Sequence, residues 1–335
     1  MTDLLKTLLP NIEAELQHQV ARLDQPRTRP FYEMLAYHMG WSGEGSGPDT
    51  TGKRIRPILV LLVTAACQSE WLRALPAAAA VELVHNFSLI HDDIQDNSDK
   101  RRGRLTVWKK WGAPMGINVG DALFVISNQA ITDLEKHYPS EIVLQAARIL
   151  HDTCLDLTCG QFLDMSYEKR TGLTVEDYWP MVSGKTAALL AACTHIGALL
   201  GGANEEKQEA YRLFGHHLGL AFQVQDDILG IWGDEAMTGK SVASDLVEGK
   251  KSLPVLFGLS KQAQFAAHWK QTGITSAQSS QFAAILAADG AYDYAQNAAR
   301  DETDKALESL KKAGPLGEAG DVLLALANQL LNRQQ

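Results

Sequence analysis

The chain holds 335 residues, 45% of them hydrophobic, with 31 basic against 40 acidic side chains and a formal net charge of −9. That length suits one large all-helical domain or two ordinary ones, and the acidic balance disfavours a general nucleic-acid-binding role while allowing a local basic site for a small anion. The four cysteines, Cys67, Cys154, Cys159 and Cys193, form no CxxC pair and no zinc-ligand spacing, which excludes a structural zinc site and fits a reducing compartment.

Residues 3–24 are predicted as an amphipathic helix, with Leu4, Leu8, Ile12, Leu16 and Val20 at four-residue steps before Asp24-Gln-Pro26. The N-terminus carries acid early and lacks a basic stretch leading into a long apolar one, so a cytoplasmic protein is expected. A second apolar patch, Phe31 to Met39, runs into Gly40–Gly52, where five glycines and a proline in thirteen residues mark a loop. Gly47-Pro-Asp-Thr-Thr-Gly-Lys53 matches most of a nucleotide P-loop. Arg54 stands where that motif needs a hydroxyl, however, and the residues before it read as helical, so the match is set aside. Lys53-Arg-Ile-Arg-Pro57 then opens Ile58–Cys67, a run apolar on all sides and therefore buried.

Beyond this point helix signals dominate. Helices are expected over 76–98, 114–137, 140–166, 174–201, 204–231, 252–270, 279–288 and 291–312, with a last one near 317–332. No period-2 alternation persists over a strand length. The most apolar stretch, Thr186 to Ala203, contains Thr194, His195 and several glycines and alanines. It reads as a buried central helix, and no membrane span is expected. The economical architecture is one all-α domain covering 1–335.

The chain is organised around Val81 to Asp96. Pro76 suits the first turn of a helix, and Val84, Phe87, Ile90 and Ile94 repeat at helical steps. Asp92, Asp93 and Asp96 close that helix. Residues four apart are neighbours on a helix surface, so Asp92 and Asp96 project side by side and repel unless a cation lies between them. Mg²⁺, which takes oxygen ligands and is commonly shared with substrate phosphates, fits that place. Alone, the same cluster reads equally well as a solvated acidic helix end. A second acidic pair shifts the balance: Asp226 and Asp227, in Phe222-Gln-Val-Gln-Asp-Asp-Ile-Leu-Gly230, are followed by Lys240, Lys250 and Lys251. Lys53, Arg56, Arg101, Arg102 and Lys185 add cations suited to diphosphate, arginine offering a planar fork to phosphate oxygens. Two acidic helix ends ringed by cations would hold Mg²⁺ and pyrophosphate and stabilise a departing anion.

From Gly52-Lys-Arg-Ile-Arg-Pro57 to Gly249-Lys-Lys-Ser-Leu-Pro254, the order and spacing of these motifs resemble the trans-isoprenyl diphosphate (polyprenyl) synthases. The resemblance implies a helical bundle around a deep cavity, homodimeric, with the two Asp motifs facing each other across its mouth and three Mg²⁺ ions present with substrate. It makes Asp92, Asp96 and Asp226 metal ligands and Asp93 and Asp227 supporting carboxylates. It places Lys53, Arg56, His85 and Arg102 on the diphosphate of isopentenyl diphosphate. It places Arg101, Lys185, Lys240 and Lys250 on the allylic diphosphate, with Thr186 and Gln223 near the developing allylic cation. One departure stands out: Gly230 occupies the position, four residues after Asp226, where many members carry a third aspartate, and a water is expected to fill it. Val84, Phe87 and Ser88, beneath the first motif, are the expected determinants of product length. The aromatic at 87 resembles enzymes making the C20 product geranylgeranyl diphosphate, with C15 and C25 as alternatives. Two rival classes remain: a silent partner subunit, which would share the fold but typically lacks the first Asp motif, and a class I terpene cyclase, which uses a different second metal motif and has no use for Lys53 and Arg56.

Overall fold

The computed structural model describes residues 3–233, 243–261, 264–272 and 274–331. These form two compact units, each assembled from three separate stretches of chain. Both are helical, as expected for an all-α protein. Among the described residues no helix is long and apolar enough to cross a membrane.

The first unit comprises Met1–His151, Cys193–Gln208 and Gly314–Leu323. Its opening helices are α1 (Asp3–Val20), α2 (Arg29–His38), the single turn α3 (Pro48–Thr51), α4 (Ile55–Ala66) and α5 (Leu75–Gln95). No strand precedes Gly47, which confirms that the P-loop match is spurious. Leu8, Ile12, Leu16 and Val20 form the buried stripe of α1. In α4, Pro57 to Thr64 are all buried. The first half of α5 is a run of buried alanines, Ala77–Ala80, followed by Val81, Leu83 and Val84. Small residues let α5 sit deep among its neighbours, and each fully buried Leu or Val contributes roughly 2 kcal/mol. This packing fixes the end of α5, where the first acidic motif lies.

Inside this apolar layer sits Arg54, the residue that spoils the P-loop pattern. It has φ +51° and only 1% side-chain exposure. Its Nε donates to Glu13 Oε1 at 2.6 Å and its Nη1 to Glu82 Oε1 at 2.8 Å. Glu82 also accepts from Asn86 Nδ2 at 3.1 Å. The arginine therefore ties α1 to α5, while its sequence neighbours Lys53 and Arg56 stay outside the network.

After α5 comes a hairpin too short for alternation to reveal: β1 (Lys100–Arg101) pairs antiparallel with β2 (Arg104–Leu105). Its two turn residues, Arg102 (φ +51°) and Gly103 (φ +76°), are both left-handed, the requirement of a two-residue type I′ turn. Helices α6 (Val107–Trp111) and α7 (Ala113–Thr132) follow, α7 ending in a 3₁₀ turn over Asp133–Lys136 inside the expected 114–137 helix.

The second unit comprises Asp152–Ala192, Glu209–Ala313 and Leu324–Gln335. Helix α8 spans Ser140–Lys169. The expected helix 174–201 is interrupted: α9 (Val175–Val182) passes through a π-turn at Ser183–Ala187 before α10 (Ala188–Leu200). A π-turn inserts an extra residue and re-aims side chains, commonly at functional sites. Helix α11 (Glu205–Trp232) carries the second acidic motif, and the single turn α12 (Ser244–Val247) follows. The expected helix 252–270 is divided into α13 (Leu253–Ser260) and α14 (Gln264–Thr272), with a turn at Lys261. Then come α15 (Ser279–Ala288), α16 (Ala291–Ala313) and α17 (Gly317–Leu331), within one residue of their expected limits. Tyr178, Leu220, Val224, Ile228, Leu253 and Leu256 form the core beneath the acidic motif of α11.

Removing one partner of a buried charge leaves the other uncompensated, at a cost of about 3–5 kcal/mol. Glu82→Ala should therefore lower the unfolding free energy by that amount in urea titrations. A loss within ~0.5 kcal/mol, the ordinary range for a surface substitution, would mean that Arg54 does not depend on this pair.

Candidate functional site

Each acidic motif contains two adjacent aspartates, and the helix gives the two members opposite environments. At the end of α5, Asp93 is 2% exposed and accepts from Arg101 Nε at 2.8 Å. Burial pushes its pKa up, and the Arg101 guanidinium opposes that rise. Asp92, one residue earlier, is half-buried with Arg101 Nη2 at 3.6 Å, and Asp96 is exposed. The β1–β2 turn is what returns Arg101 to the two carboxylates. Asp93 thus positions Arg101, and Asp92 and Asp96 present oxygen donors on one face.

Beside this site the first unit gathers cations. Lys53 is exposed and Arg56 half-buried. Arg102 donates to the Thr50 carbonyl at 2.9 Å. Gly52, φ +88°, makes room for it, since a Cβ there would lie 2.7 Å from the guanidinium. Nε of Arg56 and Nε2 of His38 are buried without a hydrogen-bond partner among the described residues. Burial, then Arg56, Arg102 and Arg101, hold the His85 pKa well below its ordinary value. His38 is pulled down to about 3 by burial and then by Arg101 and Arg102. Two neutral imidazoles among mutually repelling guanidiniums form a pocket suited to an anion. His38 was not singled out from the sequence, being a lone histidine at the end of α2 with no local signal.

In the second unit, Asp226 is half-buried and Asp227 is 1% exposed. Asp227 accepts from Gln223 Nε2 at 3.0 Å and from the Leu253 N–H at the start of α13 at 3.1 Å. Lys250 Nζ lies 3.8 Å from Asp227 and 3.6 Å from Asp245. Burial works against the Lys250 ammonium, but Asp227, Asp245 and Asp164 outweigh it and raise its pKa. Burial, and then Asp227, push the fully buried Tyr178 phenol well above its usual value. Thr186 donates to Gln223 Oε1 at 2.8 Å, so Thr186, Gln223 and Asp227 form one hydrogen-bonded chain.

Lys185 reaches this region through the π-turn. Asp156, Gly160 and Asp164 share one face of α8, and a Cβ at Gly184 would lie 2.6 Å from the Asp156 carbonyl and 2.9 Å from Gly160 Cα. Only two glycines allow that approach. It brings Lys185 Nζ to 2.5 Å from Asp164 Oδ2. Asp164 was not singled out from the sequence; its signal was the pairing of Gly160 with a carboxylate four residues later. Lys240 lies outside the described residues.

The water expected opposite Gly230 is replaced by protein. A Cβ at 230 would lie 2.5 Å from the Asp245 Cγ, so the Asp245 carboxylate lies over the position and would have to shift to admit a side chain there.

The donor set suits a hard divalent cation. Within the first unit Asp92 and Asp96 offer carboxylate oxygens, within the second Asp226 does, and among the described residues no three His, Cys, Asp or Glu side chains close into a cage. A bound ion would complete its shell with phosphate and water oxygens, the habit of Mg²⁺.

Beneath the first motif, Val84 is fully buried and the Ser88 hydroxyl donates to the His85 carbonyl at 2.8 Å. The Phe87 ring packs against Phe124 of α7 at 5.0 Å and edge-on to His91 at 5.6 Å.

Comparison with known proteins identifies relatives over almost the whole chain. The polyprenyl synthetase family model matches residues 48–289. The chain is 37% identical over 318 residues to the geranylgeranyl diphosphate synthase of Mycobacterium tuberculosis, covering 93% of this chain and 90% of that one. It is also 37% identical over 334 residues to a (2E,6E)-farnesyl diphosphate synthase of the same species, covering 96% and 90%. Among solved structures, a polyprenyl synthetase from Streptomyces coelicolor matches with a TM-score of 0.87 at 35% identity, covering 97% of this chain and 98% of that one.

The lowered histidines set an acid sensitivity. The folded chain holds His38 neutral down to about pH 3, whereas an unfolded histidine takes up its proton near 6.5, so acid favours the unfolded state. Stability should be full above pH 6.5 and fall as pH drops below it. His38→Asn should flatten that fall in urea midpoints measured between about pH 7 and 4.5. An identical slope in both proteins would show that His38 protonates freely in the fold.

Proposed function

Because the chain belongs to the polyprenyl synthetase family, we propose that it condenses isopentenyl diphosphate head to tail with an allylic prenyl diphosphate, and that geranylgeranyl diphosphate is its product. It is a short-chain prenyltransferase. The observation that carries the site assignment is the division within each Asp-Asp pair. Asp93 and Asp227 are buried on the protein's own cations, while Asp92, Asp96 and Asp226 keep accessible oxygens.

When bound, Mg²⁺ neutralises the charge that develops on the departing pyrophosphate, and the proposed count is three ions with substrate. Asp92, Asp96 and Asp226 hold them. Arg101, Lys185, Lys250 and Lys240 grip the allylic diphosphate, with Arg101, Lys185 and Lys250 set at their angles by Asp93, Asp164 and the Asp227/Asp245 pair. Lys53, Arg56, His85 and Arg102 hold the diphosphate of isopentenyl diphosphate. The buried unpartnered Nε of Arg56 and the suppressed basicity of His85 support that role, since both gain from a nearby anion. Thr186 and Gln223 turn hydroxyl and amide oxygens toward the allylic cation, fixed by the bond between them. The isopentenyl double bond attacks that cation, and the proton released passes to the departing pyrophosphate. Apolar walls keep water from the cation.

The Phe87–Phe124 contact supports a floor beneath the first motif, with Val84 and Ser88 on the adjoining face. The farnesyl diphosphate synthase relative at equal identity keeps C15 as the alternative product. The chain is read as one catalytic domain across 1–335, because the family match runs through stretches of both units. A homodimer is supported by exposed apolar side chains on α7: Ile117 is 48% and Val125 55% exposed. A cytoplasmic location agrees with the absence of any disulfide among the four cysteines.

Incubation with Mg²⁺, isopentenyl diphosphate and each allylic primer, with product masses read out, tests the reading. Asp92→Ala should reduce turnover at saturating Mg²⁺ by at least ~10²-fold; near-normal turnover would remove Asp92 from the site. Phe87→Ala should shift the products to longer chains, and an unchanged mass spectrum would place the floor elsewhere.

A further inference from the structure

The segment Gly40–Gly52 has the composition of a flexible loop, with five glycines, yet it is held at several points. Its two ends meet: a Cβ at Gly40 would lie 2.8 Å from the Thr50 carbonyl, so residues 40–50 make a compact loop closed at its neck. Arg104, the last arginine of Arg101-Arg-Gly-Arg104, reaches this loop from β2. Its Nη1 donates to the Tyr37 carbonyl at 2.9 Å, its Nη2 to the Ser42 carbonyl at 2.6 Å and its Nε to the Glu44 carbonyl at 3.0 Å. The guanidinium also lies over the Tyr37 ring, 3.9 Å from its centre, and the Tyr37 hydroxyl donates to the Leu105 carbonyl at 2.9 Å. Three carbonyls on one planar fork, stacked on an aromatic face, make an arrangement that lysine cannot reproduce. Two residues before Arg104, Arg102 donates to the Thr50 carbonyl at the loop's neck. Lys53 leaves that neck three residues after Thr50.

We propose that Arg104 is a positioning residue for isopentenyl diphosphate. By pinning the 40–50 loop to the β1–β2 hairpin, it sets Lys53 and Arg102 at the spacing the diphosphate requires, and it acts through those two residues. The inference rests on the diphosphate-synthase reading above and deepens it. The three arginines of the hairpin then divide the work: Arg101 turns to the acidic motif, Arg102 to the neck of the loop and Arg104 to its body. Cations assigned to the allylic diphosphate are held by other means, Arg101 by Asp93 and Lys185 by Asp164. Release of the loop should therefore spare the allylic substrate.

The test is steady-state kinetics of the full chain with Mg²⁺, varying isopentenyl diphosphate and an allylic prenyl diphosphate in turn, paired with thermal melting. Arg104→Lys keeps the charge and loses the fork. It should raise the KM for isopentenyl diphosphate by ~10-fold or more, the scale of a displaced binding group, with kcat and the allylic KM near wild type. A general loss of structure would lower kcat instead. Gly43→Ala strikes the same contact from the loop side: Gly43 has φ +84°, and a Cβ there would lie 2.8 Å from Tyr37 Cδ2 and 3.1 Å from Arg104 Nη2. It should reproduce the isopentenyl-specific defect, and it keeps the test open should Arg104→Lys fold poorly. The double variant should be no worse than the more damaging single, because both changes break one contact. A folded single variant with wild-type KM for isopentenyl diphosphate, with both KM values raised alike or with its loss confined to kcat would overturn the inference, as would fully additive effects in the double. Absence of chain elongation by the wild-type protein would instead overturn the functional reading itself.

Discussion

Two carboxylates adjacent in sequence cannot share one environment on a helix, because successive side chains point about 100° apart. Each acidic motif depends on that geometric constraint. In Asp92-Asp93 and again in Asp226-Asp227 the second member turns inward and the first turns out. The inward carboxylate is expensive to bury, and each is compensated by a cation and by hydrogen bonds: Arg101 for Asp93, and Lys250, Gln223 and the Leu253 N–H for Asp227. That compensation fixes Arg101, Lys250 and Gln223 before any substrate arrives. Preorganised charge of this kind costs no reorganisation during reaction.

The remaining cations are placed by backbone geometry. The left-handed Arg102-Gly103 turn folds Arg101 back toward α5. Gly52 opens room for the Arg102 guanidinium, and the close approach of Gly160 and Gly184 sets Lys185 on Asp164. In each case a glycine or a positive φ permits a contact that a Cβ would block. Gly230 follows the same rule with the charge reversed, admitting a carboxylate from α12.

Much of this was legible in the sequence. The helical class followed from periodicity, and the ends of α15 and α16 came within a residue because glycine and small polar residues punctuate them. The acidic motifs were legible because i, i+4 spacing is local information. What failed was non-local. The helix expected over 174–201 is present but passes through a π-turn at Ser183–Ala187, where Gly184 lies close against Gly160 of α8, and no window on that segment contains that contact. Arg54 reads as one more cation in Lys53-Arg-Ile-Arg56, and only its distant partners Glu13 and Glu82 reveal it as structural. The water expected at Gly230 reflected the same limit, since the occupant comes from another helix.

In the function proposed above, Asp92, Asp96 and Asp226 hold diphosphate through bound Mg²⁺, while Asp93 and Asp227 are held by the protein's own cations. Titration of inorganic pyrophosphate into the full chain, once with Mg²⁺ and once with a chelator, measures this most directly. Binding should be much tighter with Mg²⁺, and the Mg²⁺-dependent part should vanish when Asp226 is replaced by Ala. Equal affinity with and without the metal would contradict the account, because the basic residues alone would then hold the anion.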